Sequence, residues 1–147
     1  MPSSVQASEE INVIASQEAC WKFFSSLENI GGCIPGCEAI FRIDDYTASF
    51  KVKLKVGYLS KTFELKAKIT ESTAPSHLKF TGQGSDAEIN GDVEIRDGAN
   101  GTSIRYGIEI VPVSVTGKTA ISLIGKDLVR KQATEFANCV KSKLESS

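Results

Sequence analysis

AISLIGKDLVRKQATEFANCVKSKLE, residues 120–145, is the stretch whose reading decides the fold. Ile121, Ile124, Leu128, Phe136, Val140 and Leu144 recur at helical spacing, and Val129, Ala133 and Ala137 widen the stripe. Lys126, Arg130, Lys131, Glu135, Asn138 and Lys141 fall on the other side. The spacing predicts one amphipathic helix of roughly 25 residues, about 37 Å long at its 1.5 Å rise. Such a helix cannot bury its stripe alone, so a partner layer must come from upstream. Residues 50–110 alternate apolar and polar, as strands packed on one face do. A curved antiparallel sheet gripping one long helix is the arrangement this predicts.

The alternation is clearest at residues 46–56, where Phe50, Val52, Leu54 and Val56 oppose Lys51, Lys53 and Lys55. After Gly57, the residues Phe63, Leu65, Ala67 and Ile69 continue the inner face, followed by Leu78, Phe80 and Gly82. Ala87, Ile89, Gly91, Val93 and Ile95 come next, then a hairpin loop at residues 97–101, then Ile104, Tyr106, Ile108 and Ile110. Upstream, residues 8–15 suit a first strand, and Ser16 suits an N-cap for a short helix carrying Trp21, Phe23 and Phe24. A second helical piece, residues 27–30, is expected to stop at Gly31-Gly32. Cys33-Ile34-Pro35-Gly36-Cys37 is then a loop, with Pro35 and Gly36 at the central positions of a type II turn. Residues 112–119 lead into the long helix, with Gly117 as a hinge.

The order is one strand, two small helices, about six further strands and one long helix. That is an α+β helix-grip arrangement, expected to occupy residues 1–147 as a single domain. Small residues interrupt the inner face at Ala67, Gly82, Ala87, Gly91, Gly125 and Ala133. They fit either close packing or a cavity.

Composition excludes several classes. With 41% hydrophobic and 24% charged residues and a net charge of −1, the chain gives no reason to expect nucleic acid as a partner. The polar, acidic start shows no signal peptide, and no apolar run is long enough to span a bilayer. Four cysteines without an export signal lead to an expectation of reduced thiols and a cytoplasmic setting.

Three stretches resemble one family. CIPGCE (residues 33–38), KVGYLSKTFELKAKITE (residues 55–71) and GTSIRYGIEIVPVSVTGKTAISLIGKDL (residues 101–128) are similar to the CoxG subunit of carbon monoxide dehydrogenase. That family belongs to the START-like superfamily of polyketide cyclases and lipid-transfer proteins, whose helix-grip fold encloses an apolar ligand cavity. The resemblance implies an accessory role beside a CO dehydrogenase-type molybdenum enzyme. It also implies a quinone-like or other lipidic ligand and peripheral contact with the inner face of the membrane.

The expected cavity lining is Phe50, Leu54, Phe63, Leu65, Phe80, Tyr106, Ile124 and Leu128, with the loop from Cys33 to Cys37 at its mouth. In most domains such aromatics are simply core; the fold is what makes a pocket the sharper reading. A buried Tyr106 hydroxyl needs a partner and is a candidate to orient a ligand carbonyl. Cys33 and Cys37 are spaced C-x3-C around a proline and His77 is the only histidine, so no metal site is expected. No nucleophile is patterned with His77, which reads as an exposed turn residue, and no catalytic constellation is visible. Lys51, Lys53, Lys55, Lys66 and Lys68 share one outer face; it reads as a solvated surface or as a docking patch for an acidic partner or anionic lipid. The leading expectation is a non-catalytic binding module. A START-like cyclase or hydrolase acting on a hydrophobic substrate and a purely structural docking protein are the alternatives.

Overall fold

A computed structural model describes residues 4–56 and 58–146; the side chains of residues 56, 59 and 124 also lie outside the description. The chain runs β1 (Val5–Val13), α1 (Gln17–Phe24), α2 (Leu27–Cys33), β2 (Cys37–Asp44), β3 (Thr47–Val56), β4 (Leu59–Thr73), β5 (His77–Gln83), β6 (Ala87–Gly98), β7 (Gly101–Pro112) and α3 (Val115–Glu145). Every sheet pairing is antiparallel, and the seven strands lie in the order β1-β7-β6-β5-β4-β3-β2. This is the helix-grip fold, with α3 lying across the concave face and running along β1.

Local chemistry sets most boundaries. Ser16 caps α1 by accepting the Ala19 amide at 3.1 Å, and Ser114 caps α3 by accepting the Gly117 amide at 2.9 Å. Between α2 and β2 the Cys37 amide donates to the Ile34 carbonyl at 3.1 Å, closing the turn in which Gly36 has φ +85°. That is the positive φ its type II position requires.

Three expectations about the helices are corrected. First, α2 does not stop at Ile30 but runs through Gly31 and Gly32 to Cys33. A Cβ at Gly31 would stand 2.5 Å from Ile40 Cδ1 and 3.2 Å from the Phe50 ring, so the bare backbone lets α2 lie against the sheet. Packing there outweighs the weak helix propensity of glycine. Second, α3 begins at Val115, not Ala120, and Gly117 sits in its first turn instead of serving as a hinge. A Cβ at Gly117 would be 1.8 Å from the Asp86 carbonyl oxygen, so this glycine allows a close approach. Third, the helix is broken at Gly125, where φ is 71° and ψ 172°. That conformation is open essentially only to glycine.

The interior has two ends. Val13, Cys20, Phe24, Leu78, Val93, Ile95, Ile104 and Val140 are fully buried and pack α1 and the second half of α3 against the sheet. Each such aliphatic or aromatic side chain contributes about 1.5–3 kcal/mol when removed from water. Cys33 at the end of α2 is disulfide-bonded to Cys139 on α3, across 106 residues of chain. The expectation of four reduced thiols is therefore corrected: Cys20 and Cys37 alone are free. With it goes the thiol argument for a cytoplasmic setting, since persistent disulfides are rare there. No helix among the described residues is long and apolar enough to cross a membrane.

Candidate functional site: an apolar cavity under the broken helix

At the other end, sheet and helix leave space between them. An apolar cavity of about 200 Å³ lies between them. The sheet supplies Phe50, Val52 and Leu54 from β3, Phe63, Leu65 and Ala67 from β4, Phe80 and Gly82 from β5, Ala87 and Ile89 from β6, and Tyr106, Gly107, Ile108 and Ile110 from β7. Leu27 and Ile30 of α2 and Ile34 and Pro35 of the following turn form one side. Ile121, Val129, Gln132, Ala133 and Phe136 of α3 form the roof, with Val5 of β1 beside them.

The small residues sort themselves by role. Ala67, Gly82, Ala87 and Ala133 line the cavity and make its room. Gly91 is a packing glycine, since a Cβ there would lie 2.2 Å from the Phe80 ring. Gly125 has nothing within 4 Å of a built Cβ, and its role is conformational.

Of the eight residues expected to line a cavity, Phe50, Leu54, Phe63, Leu65, Phe80 and Tyr106 do so. Leu128 is half-buried on α3 but lies off the lining, because the segment after Gly125 turns Val129, Ala133 and Phe136 inward and leaves Leu128 on its flank. The Ile124 side chain lies outside the described residues. In the loop, Ile34 and Pro35 reach the cavity, whereas Cys33 is held in the disulfide. Gly36 and Cys37 are not on the lining; the Gly36 carbonyl accepts the Lys53 amide at 2.8 Å and Cys37 Sγ lies 3.6 Å from the Ala39 carbonyl. Burial pushes the Cys37 and Cys20 thiols above their ordinary pKa.

Tyr106 presents its ring to the cavity and stacks edge-on to Phe136, with centroids 5.1 Å apart. Its hydroxyl is already engaged, donating to the Ala133 carbonyl of α3. Burial, then the nearby Glu9 charge, pushes the phenol well above its ordinary pKa, so it stays protonated and keeps donating. The hydroxyl expected to orient a ligand thus fastens the roof to the sheet.

Sequence reasoning missed Gln132. Leu128, Phe136, Val140 and Leu144 keep a four-residue spacing along α3, and Gln132 fills the gap in that series. A polar residue in an apolar position was the available signal.

Ionisable groups stay outside. Asp86, in the β5–β6 turn, accepts from Ser114 Oγ at 3.0 Å and meets Lys61 Nζ at 3.2 Å; these bonds hold its carboxyl below the ordinary range and pin the start of α3. His77 opens β5, half-buried, with Nε2 3.1 Å from Asp92 on the outer face. Lys51, Lys53, Lys66 and Lys68 stand opposite Glu64, Thr62, Ser49 and Thr47 in the β3–β4 register, on the face away from the cavity, and Lys55 continues that face. Lys51 is paired to Glu64 at 3.6 Å. No group of three or more potential metal ligands is gathered among the described residues.

The sequence profile of the CoxG subunit of carbon monoxide dehydrogenase matches residues 10–145. The chain belongs to this family. Among curated proteins none matches it. A START superfamily protein from Mycobacterium smegmatis superposes with a TM-score of 0.70 at 15% identity, covering 96% of this chain and 97% of that one. The Zhui aromatase/cyclase from Streptomyces sp. R1128 gives 0.68 at 11% identity, over 97% and 94% of the two chains. Norcoclaurine synthase from Thalictrum flavum gives 0.64 at 15% identity, over 98% and 96%. At these identities the likeness is one of fold, and it places this CoxG-family chain among helix-grip proteins of the START type.

Proposed function

We propose that this chain is a non-catalytic binding module that holds a lipid- or quinone-like molecule in the cavity under α3 and serves a CO dehydrogenase-type molybdenum redox enzyme. The observation that carries the reading is the cavity itself: about 200 Å³ of apolar space, opened by alanine and glycine where larger side chains would fit. Unfilled apolar space lowers stability, so a fold that keeps it gains from a guest that fills it. An apolar cavity of about 150 Å³ already admits benzene, so this one takes a ring system or the end of a chain. The longer remainder of such a ligand leaves past Ile34 and Pro35, at the turn beside the roof.

Binding is favoured over catalysis by the lining. Tyr106 is its sole ionisable side chain among the described residues, and its hydroxyl is occupied by Ala133. Acid–base or nucleophilic work needs groups free to exchange protons or attack. The partner reading draws on family membership and on the outer lysines of β3 and β4, a basic face for an acidic enzyme surface or for anionic lipid at the inner face of a membrane. Calorimetric titration with short-chain quinones and medium-chain lipids tests the ligand, and salt-sensitive co-purification of a molybdenum hydroxylase tests the partner. Absence of uptake of either ligand class refutes the first part; an association that ignores salt refutes the lysine face.

A further inference from the structure

The cavity offers a guest almost no hydrogen bonds. Gln132 borders it, yet the lining presents almost no polar surface. The Tyr106 hydroxyl is spent on the Ala133 carbonyl, and among the described residues no buried side-chain nitrogen or oxygen lacks a partner. The backbone is equally committed. Strands β3 to β7, which floor the cavity, each have a strand on both sides, so the ladder takes up their amides and carbonyls.

This lining treats the two parts of a lipid- or quinone-like molecule differently. Each methylene that enters is removed from water and adds to the affinity. A carbonyl or hydroxyl that enters gives up its bonds to water and receives none in return, and an ionised group loses more. At about 200 Å³ the space is also little larger than one that admits a single ring, so only part of such a molecule fits. The hydrocarbon part goes in, and the polar part stays where water or another protein can meet it.

We propose that the cavity takes its ligand tail-first, binding the hydrocarbon end of an amphiphile, selecting by chain and not by head, and leaving every polar group of the ligand at the mouth. The class selected is therefore chain-bearing lipids, whatever the charge of their heads, and a quinone enters by its side chain with the ring outside. A head left at the mouth is within reach of a partner protein while the tail stays bound. This rests on the cavity being the ligand site, as proposed above.

The test titrates 1-octanol, octyl sulfate and octyltrimethylammonium, with their hexyl counterparts and 1,8-octanediol, into the full chain and into Gly82→Val, at high salt and below micelle formation. Thermal melts establish that the variant is folded. The three octyl probes, which are neutral, anionic and cationic, should bind the wild type within about tenfold of one another, since water keeps hydrating their heads. Each hexyl probe should bind about fourfold more weakly per methylene removed. The diol, which must carry a hydroxyl inside, should bind more than about tenfold more weakly than 1-octanol. A preference of more than about tenfold for one head, or a diol that binds as tightly as 1-octanol, overturns tail-first binding and leaves the cavity as the site. If no octyl probe binds, or if all bind Gly82→Val as they bind the wild type, the cavity reading falls, and this inference with it.

Discussion

Gly82→Val fills the cavity from its floor. Gly82 pairs with Ala67 and Ile89, and a Cβ there would stand 3.5 Å from Ile89 Cβ and 4.0 Å from Leu65 Cβ, both ordinary contacts. Its backbone has no positive φ, so valine meets no conformational strain. An empty apolar cavity costs about 24 cal/mol per Å³, which for 200 Å³ sets a ceiling of about 5 kcal/mol on what complete filling returns. The three added carbons account for about 2 kcal/mol at ~0.8 kcal/mol each, and the better strand propensity of valine adds up to about 1 kcal/mol. Some of this is lost to imperfect fit, leaving an expected gain of about 1–3 kcal/mol in urea denaturation. A ligand forced into the remaining space meets overpacking of about 1–3 kcal/mol, a 5- to 150-fold weaker Kd for a two-ring probe. The variant should be more stable and a poorer binder. A destabilised variant would show that Gly82 faces no free space, and a stabilised one with unchanged Kd would place the ligand elsewhere.

Gly125→Ala meets no neighbour, so its expected loss of about 1–3 kcal/mol comes from the backbone alone; thermal melting should show it, and an unchanged melt would mean that the break in α3 is not required. The Cys33–Cys139 bond closes a separation of 106 residues, for which chain entropy gives up to about 4–5 kcal/mol. Urea denaturation with and without reductant should reveal that loss, and thiol titration of the unfolded, unreduced chain should find two thiols, not four. Tyr106→Phe removes the donor to Ala133 and should cost about 1 kcal/mol at neutral pH. Because the folded phenol is raised above the unfolded value of about 10, its contribution is full below pH ~10 and is lost as pH rises through the folded value. The wild type should therefore lose a component of stability above pH ~10 that the Phe variant lacks, read from denaturation midpoints against pH.

The sheet was legible because a period of two is a strong signal wherever one face is buried. Phe50 to Leu54 and Phe63 to Ala67 announce their inward faces against the lysines and the glutamate that alternate with them. The turn at Pro35-Gly36 was equally plain, since each residue sets its own φ. The cavity was legible only as a set of small residues, because Gly82 and Gly91 look alike in a string of letters. A side chain at the first would make ordinary contacts and at the second would strike the Phe80 ring, and that difference depends on which side chain crosses from the neighbouring strand. The break at Gly125 is hidden because a single glycine costs an intact helix only about 1 kcal/mol, so its presence does not imply a bend. The Cys33–Cys139 pairing joins residues too far apart in sequence for any local pattern to report. The part played by Tyr106 was hidden for a similar reason: whether its hydroxyl is already partnered depends on where α3 places the Ala133 carbonyl.

The central claim is that the space under α3 holds a guest, and native mass spectrometry of freshly purified protein, followed by organic extraction, tests it most directly. The account predicts a mass above that of the chain by one small hydrophobic molecule, lost in Gly82→Val. A bare chain mass that stays unchanged on titration with quinones and lipids would contradict it.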